Sequence, residues 1–281
     1  MKIKDNLFKY WVILSGITII FLTFGIFIFL LFKGINVISF EFIMDSPKGI
    51  PLGTEGGIFP AIVGSLLSGA LSGLMGGILG LCTAIYLVFY CYSKRLKKII
   101  IMFLQCLAGI PSIVIGMFGY TFMVVGLDLK RSLISASLTL TIMIVPFISI
   151  KLKKALEETS KNQFISSLSL GVSKSYSIIH LVIPNALGSI MTSLGLSIVF
   201  AMGATAPIML TGAVIIASSP TSLTDPIMAL PYHLYVLVNE GLSLEKAYGT
   251  AFVLIILLLI INFVCHLVGY LRERAICNKW F

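Results

Sequence analysis

The sequence predicts an all-α integral membrane protein with six transmembrane helices. Three observations support this fold class: 58% of the 281 residues are hydrophobic, 11% are charged, and long apolar runs recur along the chain. A soluble domain would carry about a quarter charged residues, and about 20 apolar residues are enough to cross a bilayer as a helix. A transmembrane barrel would instead show strands of about ten residues with alternating polarity.

The six apolar runs fall at 11–32, 58–92, 99–127, 132–150, 186–217 and 247–271. They divide the chain into residues 1–57, with the first helix and an external segment, residues 58–271, the main transmembrane domain, and a tail at 272–281. The first run follows several lysines, as in a signal peptide, but it is longer than a signal core and lacks a small-x-small cleavage site. We therefore expect it to be retained as the first transmembrane helix.

Lysine and arginine are concentrated on one side of this six-helix arrangement. With a cytoplasmic N-terminus, the cytoplasmic segments hold 15 of the 20 cations and four of the 11 acids, which leaves +11 inside and −2 outside. This asymmetry follows the positive-inside rule, so we expect both termini in the cytoplasm. The basic composition then reflects contact with anionic membrane lipid, and it does not indicate nucleic-acid binding.

The second run carries small residues at four-residue spacing along two neighbouring ridges. One ridge is Ser65, Gly69, Gly73 and Gly77, and the other is Gly64, Ser68, Ser72, Gly76 and Gly80. Such rows let helix backbones approach closely in lipid, so we expect this helix in the centre of the bundle. A phosphate-binding loop is the alternative interpretation of "GLMGGILG", but the Lys-Ser/Thr pair of that motif does not follow it.

Glycine and proline interrupt the third and fifth runs. The third contains Gly109-Ile110-Pro111-Ser112, and the fifth contains Gly203-Ala204-Thr205-Ala206-Pro207. Proline removes a backbone donor and displaces the preceding turn, so polar backbone groups become free inside the membrane. Such groups are tolerated where they line protein or a water-filled cavity, which indicates a transport path; simple packing kinks are the alternative.

The sequence offers no set of residues for catalysis, metal binding or a cofactor. The six runs contain no Asp, Glu, Lys or Arg, and acid–base or metal-assisted chemistry would need several carboxylates or histidines. We interpret His266, near the end of the last run, as structural and not as a proton relay. The five cysteines form no CxxC pair, so neither a disulfide frame nor a zinc site is expected.

Energy for active transport would have to come from an ion gradient or from a separate ATPase, because the sequence has no Walker A motif. A gradient-driven carrier usually has a buried acid that binds its coupling ion. The absence of such an acid from the runs favours the separate ATPase.

Residues 151–185 form the longest cytoplasmic segment, and their pattern predicts a helical hairpin. An amphipathic pattern extends from Lys153 to Leu170. Gly171 can adopt the left-handed conformation that ends a helix, and Ser173 is a good N-cap for a second helix that runs to Ile183. The turn of this hairpin would face the cytosol.

This segment resembles the EAA loop of the permease subunits of ABC importers, whose consensus is E-A-A, three residues, G, nine residues and I-x-L-P. Ser166 and Ser167 align with the two alanines, Gly171 with the glycine and Pro184 with the proline, whereas Ile165 replaces the glutamate. Four further stretches resemble the permeases of phosphate importers: "GGIFPAIVGSLL" from Gly56, "LAGIPSIVIGMFG" from Leu107, "GATAPIMLTGA" from Gly203 and "YGTAFVLIILLLIINF" from Tyr248. The resemblance covers residues from about 56 to the C-terminus.

The resemblance implies the type-1 ABC importer permease fold and transport of inorganic phosphate by alternating access in a bacterial inner membrane. It implies no catalytic role for this chain, because a partner hydrolyses ATP. The expected partners are a PstC-like second permease, two copies of an ATP-hydrolysing subunit and an external phosphate-binding protein. The residues expected to couple to the ATPase are Ile165, Ser166, Ser167, Gly171, Val172, Ser173, Lys174 and Pro184.

One stretch departs from the family in a way that affects the substrate path. The family usually reads R-A-x-G-E-T-A-P, and we assign Ala201 and Ala204 to the arginine and the glutamate, so a charge pair is missing. Hydroxyls and backbone amides, or the partner permease, would then bind the anion. Ser189, Ser193, Ser197 and Thr205 form a polar seam at four-residue spacing, for which close packing is the alternative.

The residues predicted to line the path are Gly109, Pro111, Ser112, Ser193, Ser197, Gly203, Thr205 and Pro207. Two other functions stay open on the sequence. The permease could transport another oxyanion, such as sulfate or molybdate, because the coupling loop does not identify the substrate. The missing charge pair would also fit a scaffold or sensor subunit that does not transport.

Overall fold

The computed structural model describes residues 2–49, 55–159 and 161–277, and helices make up most of them. Four helices are long and apolar enough to cross a membrane by themselves: α1 (Lys2–Gly34), α3 (Phe59–Ile85, continued by a wider π turn at Tyr86–Tyr90), α6 (Leu133–Thr159) and α13 (Leu244–Cys277). Two bent helix pairs bring the number of possible crossings to six. The end of the predicted tail, residues 278–281, lies outside the described residues.

The segment after α1 contains short elements. Helix α2 (Phe40–Met44) begins at Ser39, whose hydroxyl accepts a hydrogen bond from the Phe42 amide. Two antiparallel two-residue strands follow, β1 (Pro47–Lys48) and β2 (Glu55–Gly56). They lead directly into α3.

The third apolar run, predicted over 99–127, is sharply bent. It forms two helices at 94° to each other, α4 (Lys94–Ala108) and α5 (Ser112–Gly119), and α5 continues as a π turn to Gly126. The break lies at Gly109–Pro111, where proline cannot continue the preceding helix. The predicted interruption is therefore confirmed, but its angle is far larger than that of a simple kink.

The fifth run also breaks at the predicted place. Helix α10 (Leu187–Met202) ends before Gly203, and a short helix, α11 (Thr205–Thr211), follows. The 16 residues of α10 span about 24 Å at 1.5 Å per residue, which is less than a bilayer core. The predicted end of this run, residue 217, is too late, because the chain leaves the helix at Gly212.

Helix α3 lies in the centre of the bundle, as its small-residue ridges predict, and each ridge contacts a different helix. A Cβ atom added to Gly73 or Gly77 would lie about 2.5 Å or less from Ile198 or Leu194 of α10. One added to Gly80 would lie 2.4 Å from Ile148 of α6. Larger residues at these positions would push two neighbouring helices away from α3.

The segment between α11 and α13, which lies mostly between two of the predicted runs, is partly helical. It holds α12 (Leu230–Asn239), and the residues that lead into α12 are fully buried against α3. The Ser65 hydroxyl accepts a hydrogen bond from the Leu230 amide at 2.8 Å. Because the carbonyl of Met228 would lie 2.0 Å from a Cβ on Gly64, Gly64 is required for this approach.

Helix α6 extends beyond the predicted run of 132–150 to Thr159. Ile144, Ile148, Leu152 and Leu156 follow one another at four-residue spacing and are fully buried. The apolar stripe of the helix thus continues through residues that the sequence had placed in the cytoplasmic segment. We call the end of the bundle at which α6 terminates the hairpin end.

Candidate functional site

A helical hairpin joins α6 to α10, and its second arm is bent at 67° to α10. Its first arm is α7 (Lys161–Ser169), and its second arm is α8 (Lys174–Ser177), a π turn at Ile178–Val182, and α9 (Ile183–Asn185). The hairpin predicted from Gly171 and Ser173 is present. Its first arm starts later than expected, because residues 153–159 belong to α6.

Gly171 forms the turn of the hairpin in the left-handed conformation, with φ of +81°. The Gly171 amide donates to the Leu168 carbonyl at 3.0 Å, and the Val172 amide donates to the Ser167 carbonyl at 3.2 Å. These two bonds make up a Schellman motif, which satisfies the last carbonyls of a helix. A Cβ at Gly171 would meet nothing within 4 Å, so backbone conformation alone favours glycine here.

Two buried hydroxyls connect the arms of the hairpin. Ser167 lies 2.8 Å from the Ser177 hydroxyl, and Ser177 in turn donates to the Ser173 carbonyl at 3.1 Å. Ser173 stands at the N-cap position of α8, as predicted, but its side chain makes no capping hydrogen bond. Its carbonyl, and not its hydroxyl, therefore contributes to the turn.

Aromatic and polar contacts fix the hairpin to the bundle. The ring of Phe164 packs on that of Phe89 with centroids 4.6 Å apart. The Lys174 ammonium lies 4.2 Å from the Tyr90 ring centroid and donates a hydrogen bond to the Tyr92 hydroxyl at 2.8 Å. These contacts join residues more than 70 positions apart, and no periodic pattern in the sequence could have revealed them.

A further bond closes the base of the hairpin, where Asn185 of α9 donates to the side-chain oxygen of Gln163 at 2.6 Å. Pro184 lies one residue before it, in the short helix that leads to α10. The hairpin is therefore bonded at its base and middle and capped at its turn.

The outer surface of the hairpin exposes several large apolar side chains among polar ones. Leu170, at the turn, is 83% exposed, and Ile165, at the position where the family has glutamate, is 53% exposed. Leu168, Tyr176 and Ile179 are exposed on the same hairpin. Exposed apolar groups of this size at the end of a membrane protein are typical of a protein-binding surface.

The two broken crossings meet each other. A Cβ on Gly116 of α5 would lie 3.0 Å from the Cα atom of Pro207 in α11, so the half-helices that follow the two breaks pack closely. Gly109, Pro111, Ser112 and Gly203 are exposed, Thr205 is half-buried and Pro207 is buried. The structure thus brings the two predicted breaks into one region.

Ser193 and Ser197 are buried within this chain, and their hydroxyls donate to carbonyls of their own helix. Ser193 donates to Ser189 and Ser197 to Ser193, both at 2.7 Å. On the same helix, Gly195 packs closely against Cys265 of α13. This arrangement favours the packing interpretation of the seam in this chain.

The position of the missing arginine needs a correction. Counted back from Pro207, the order R-A-x-G-E-T-A-P places the arginine at Phe200 and the glutamate at Ala204, so the assignment to Ala201 was off by one residue. Ala201 is fully buried, whereas Phe200 is exposed and stacks on Phe147 with centroids 5.9 Å apart. Phe147 and Phe200 therefore form an aromatic pair at the position that aligns with the arginine of the consensus.

Among the described residues, no group of three or more His, Cys, Asp or Glu side chains could hold a metal ion.

Glu157 forms two ion pairs at the hairpin end, with Lys97 at 2.8 Å and with Lys153 at 2.7 Å. The Lys97–Glu157 pair links α4 to α6 just before the hairpin, and the Lys153–Glu157 pair lies within α6.

Comparison with known proteins identifies the family. The family described as "Binding-protein-dependent transport system inner membrane component" matches residues 76–276. The chain is 28% identical to phosphate transport system permease protein PstA 2 of Mycobacterium tuberculosis, over 79% of this chain and 74% of that protein. It is 29% identical to a probable phosphate transport system permease protein PstA of Methanocaldococcus jannaschii, over 92% and 91%.

Solved structures support the fold. An inward-facing MetNI methionine ABC transporter superposes with a TM-score of 0.65 at 18% identity, over 75% of this chain and 94% of that one. A bacterial alginate ABC transporter superposes with a TM-score of 0.63 at 17% identity, over 98% and 96%. The type-1 ABC importer permease fold is thereby confirmed.

Proposed function

The chain belongs to the family of inner membrane components of binding-protein-dependent transport systems, and from this premise we propose that it is a permease subunit of an ATP-driven phosphate importer. Phosphate is delivered by an external binding protein and crosses by alternating access. The observation that carries the permease function is the capped hairpin with its exposed apolar side chains. The choice of phosphate rests on the relatives, which are named as phosphate transport permeases.

The hairpin docks on a separate ATP-hydrolysing subunit. Its exposed apolar residues supply a surface that a cleft in a partner can cover. Ile165 takes part through apolar contact, where the family glutamate would contribute a charge. The remaining coupling residues, Ser166, Ser167, Gly171, Val172, Ser173, Lys174 and Pro184, hold the shape of the hairpin or lie on its surface.

Closure of the ATPase reaches the substrate path as a rigid-body motion. The hydroxyl pair Ser167–Ser177 and the Phe89–Phe164 contact keep the two arms and the bundle together. The second arm continues into α10 after a single residue, and α10 ends at the break before Thr205. Movement of the hairpin therefore shifts the broken region directly.

The substrate path passes the meeting point of the two breaks. Gly109, Pro111, Ser112, Gly203 and Thr205 expose backbone or hydroxyl groups there, and Pro207 holds α11 against Gly116. Residues 200–207 carry no charge, so hydroxyls and backbone amides, or the partner permease, bind the anion. Burying one member of a charge pair without the other would cost several kcal/mol, and loss of both avoids that penalty.

The complete importer has this chain, a PstC-like second permease, two ATP-hydrolysing subunits and an external phosphate-binding protein. Both termini and the hairpin lie in the cytoplasm, in agreement with the positive-inside distribution of charge. Lipid contacts surround α1, whose side chains from residue 8 onward are almost all exposed.

The test is phosphate-dependent ATP hydrolysis by the purified complex. Phosphate-loaded binding protein should stimulate hydrolysis, and Leu170→Asp should remove the stimulation because it places a charge in the docking surface. Ile35→Asp, an equally apolar exposed position beyond the far end of α1, is the matched control and should hydrolyse as wild type does. Normal stimulation in Leu170→Asp would contradict docking through the hairpin.

A second candidate function is supported by the aromatic pair Phe147–Phe200. Phe200 of this pair stands where the family consensus has arginine. Because this charge is missing, the alternative is a scaffold or sensor subunit that does not transport. Sulfate or molybdate transport is the alternative within the transporter class. Uptake of each radiolabelled oxyanion by cells that lack and then regain this chain separates the three.

A further inference from the structure

A cavity with several polar side chains in its lining lies at the hairpin end of the bundle, between α6, α10 and α13. Its volume is about 370 Å³, within the range of about 300–1,000 Å³ that is usual for small-molecule sites. Helices α10 and α13 touch through glycine, because a Cβ on Gly269 would lie 2.9 Å from the Gly188 carbonyl. The last turns of α6 form the third wall.

Hydrogen-bond donors from all three helices line this cavity. Lys151 comes from α6, Ser189 from α10, and His266 and Tyr270 from α13. None of these four side chains has an acceptor or an ion-pair partner within the described part of the chain. By contrast, Thr192, on the same wall, already donates to the Gly188 carbonyl at 2.9 Å.

The charge in the cavity is positive. Lys151 and Lys154 face it together with one acid, Glu158. Glu158 lies 3.9 Å from Lys154, and both side chains are largely exposed, so this pair is weak. Among the described residues, no carboxylate lies within ion-pair distance of Lys151, and its ammonium lies 5.8 Å from the Phe147 ring centroid.

The geometry points to a binding site for a phosphate group. Lysine, hydroxyl, phenol and imidazole groups can donate hydrogen bonds to phosphate oxygens. Hydrogen bonds from a cation to an anion are the strongest among them. Basic pockets between transmembrane helices are also suited to anionic lipid headgroups. The phosphate group is that of an anionic phospholipid or a free inorganic phosphate ion, and the site does not depend on the function proposed above.

The experiment measures equilibrium binding to the purified full complex without its external binding protein. One arm uses radiolabelled phosphatidylglycerol in mixed micelles, with phosphatidylcholine as the zwitterionic comparison, and the other uses radiolabelled inorganic phosphate. Lys151→Gln should weaken binding of one of the two about tenfold, as expected for loss of a charged hydrogen bond. Lys151→Arg should retain binding, and Tyr270→Phe should weaken it without any change of charge.

Lys98→Gln is the matched control, because Lys98 is an exposed cation near the same end that does not line the cavity. It should bind as wild type does. A loss confined to phosphatidylglycerol identifies a lipid headgroup, and a loss confined to inorganic phosphate identifies the free ion. Binding of neither, or equal binding by wild type, Lys151→Gln and Tyr270→Phe, overturns the proposal. ATP hydrolysis in the same preparations reports separately on the proposed transport function.

Discussion

Replacement of Gly171 tests the hairpin through its backbone alone. Its φ is +81° and an added Cβ would meet nothing within 4 Å, so a substitution adds strain without a clash. A non-glycine residue in the left-handed region costs about 1–2 kcal/mol, which lowers the population of the native turn roughly 5- to 30-fold relative to competing conformations. Asparagine tolerates this region better than alanine, and β-branched valine tolerates it least.

The assay is the ratio of phosphate transported to ATP hydrolysed by the complex in proteoliposomes. We expect this ratio to fall in the order wild type, Gly171→Asn, Gly171→Ala, Gly171→Val. Gly241 also has a positive φ, of +63°, and open space around it, but it lies between α12 and α13. Gly241→Val should therefore carry the same strain and keep the wild-type ratio. A wild-type ratio in Gly171→Val would refute the coupling role of this turn.

Three further substitutions test packing and ionisation. Ser177→Ala removes the hydroxyl that pairs with Ser167, but Ser167 can still donate to the Phe164 carbonyl at 2.8 Å, so the protein should be destabilised by about 0.5–1.5 kcal/mol. Adding Ser167→Ala should cost less than a second such step; thermal unfolding in detergent measures both, and strict additivity would count against the bridge. Gly73→Leu should destabilise the bundle by about 1–3 kcal/mol or more, because even its Cβ would lie 2.4 Å from the Ile198 side chain. Gly16 has open space around it, so Gly16→Leu should unfold at the wild-type temperature. Burial lowers the pKa of His233, in α12 outside the membrane-spanning helices, to about 4, so the unfolded chain binds more protons between about pH 6.5 and 4. Stability should fall by up to about 3 kcal/mol as pH drops through this window, and His233→Gln should remove that part of the pH dependence; an unchanged pH profile in this variant would show that another group is responsible.

Local patterns predicted the parts of the fold that depend on local chemistry. The left-handed turn at Gly171 and the break before Pro111 follow from what glycine and proline allow within a few residues. The central place of α3 follows from its small residues, because close approach in lipid needs them. Each of these was confirmed by the structure.

Features that depend on distant contacts could not be predicted in the same way. The 94° angle between α4 and α5 is set by packing against α6 and α11, and the sequence shows only that a break occurs. Burial of the segment before α12 depends on the Ser65 hydroxyl and on Gly64, about 165 positions earlier. The extension of α6 was hidden because Leu152 and Leu156 alternate with lysines and acids, which lowers the average hydropathy of that stretch.

Only part of the candidate site could be predicted, because the rest of it also depends on distant contacts. The positions of the hairpin residues came from spacing alone, but the contacts that hold them, such as Phe89–Phe164 and Lys174–Tyr92, join separate parts of the chain. The sequence predicted the two breaks separately, and the packing of Gly116 against Pro207 needed the structure. Ser193 and Ser197, which stay predicted path residues, are buried on α10.

The most direct test of the transport function is uptake of radiolabelled phosphate into proteoliposomes that contain the complete complex, the binding protein and internal ATP-regenerating enzyme on the ATPase side. We expect uptake that requires ATP and this chain, that excess sulfate or molybdate leaves unchanged, and that Gly171→Val strongly reduces. Uptake that proceeds at the same rate without this chain, or a complex that hydrolyses ATP and moves no phosphate, would contradict the assignment.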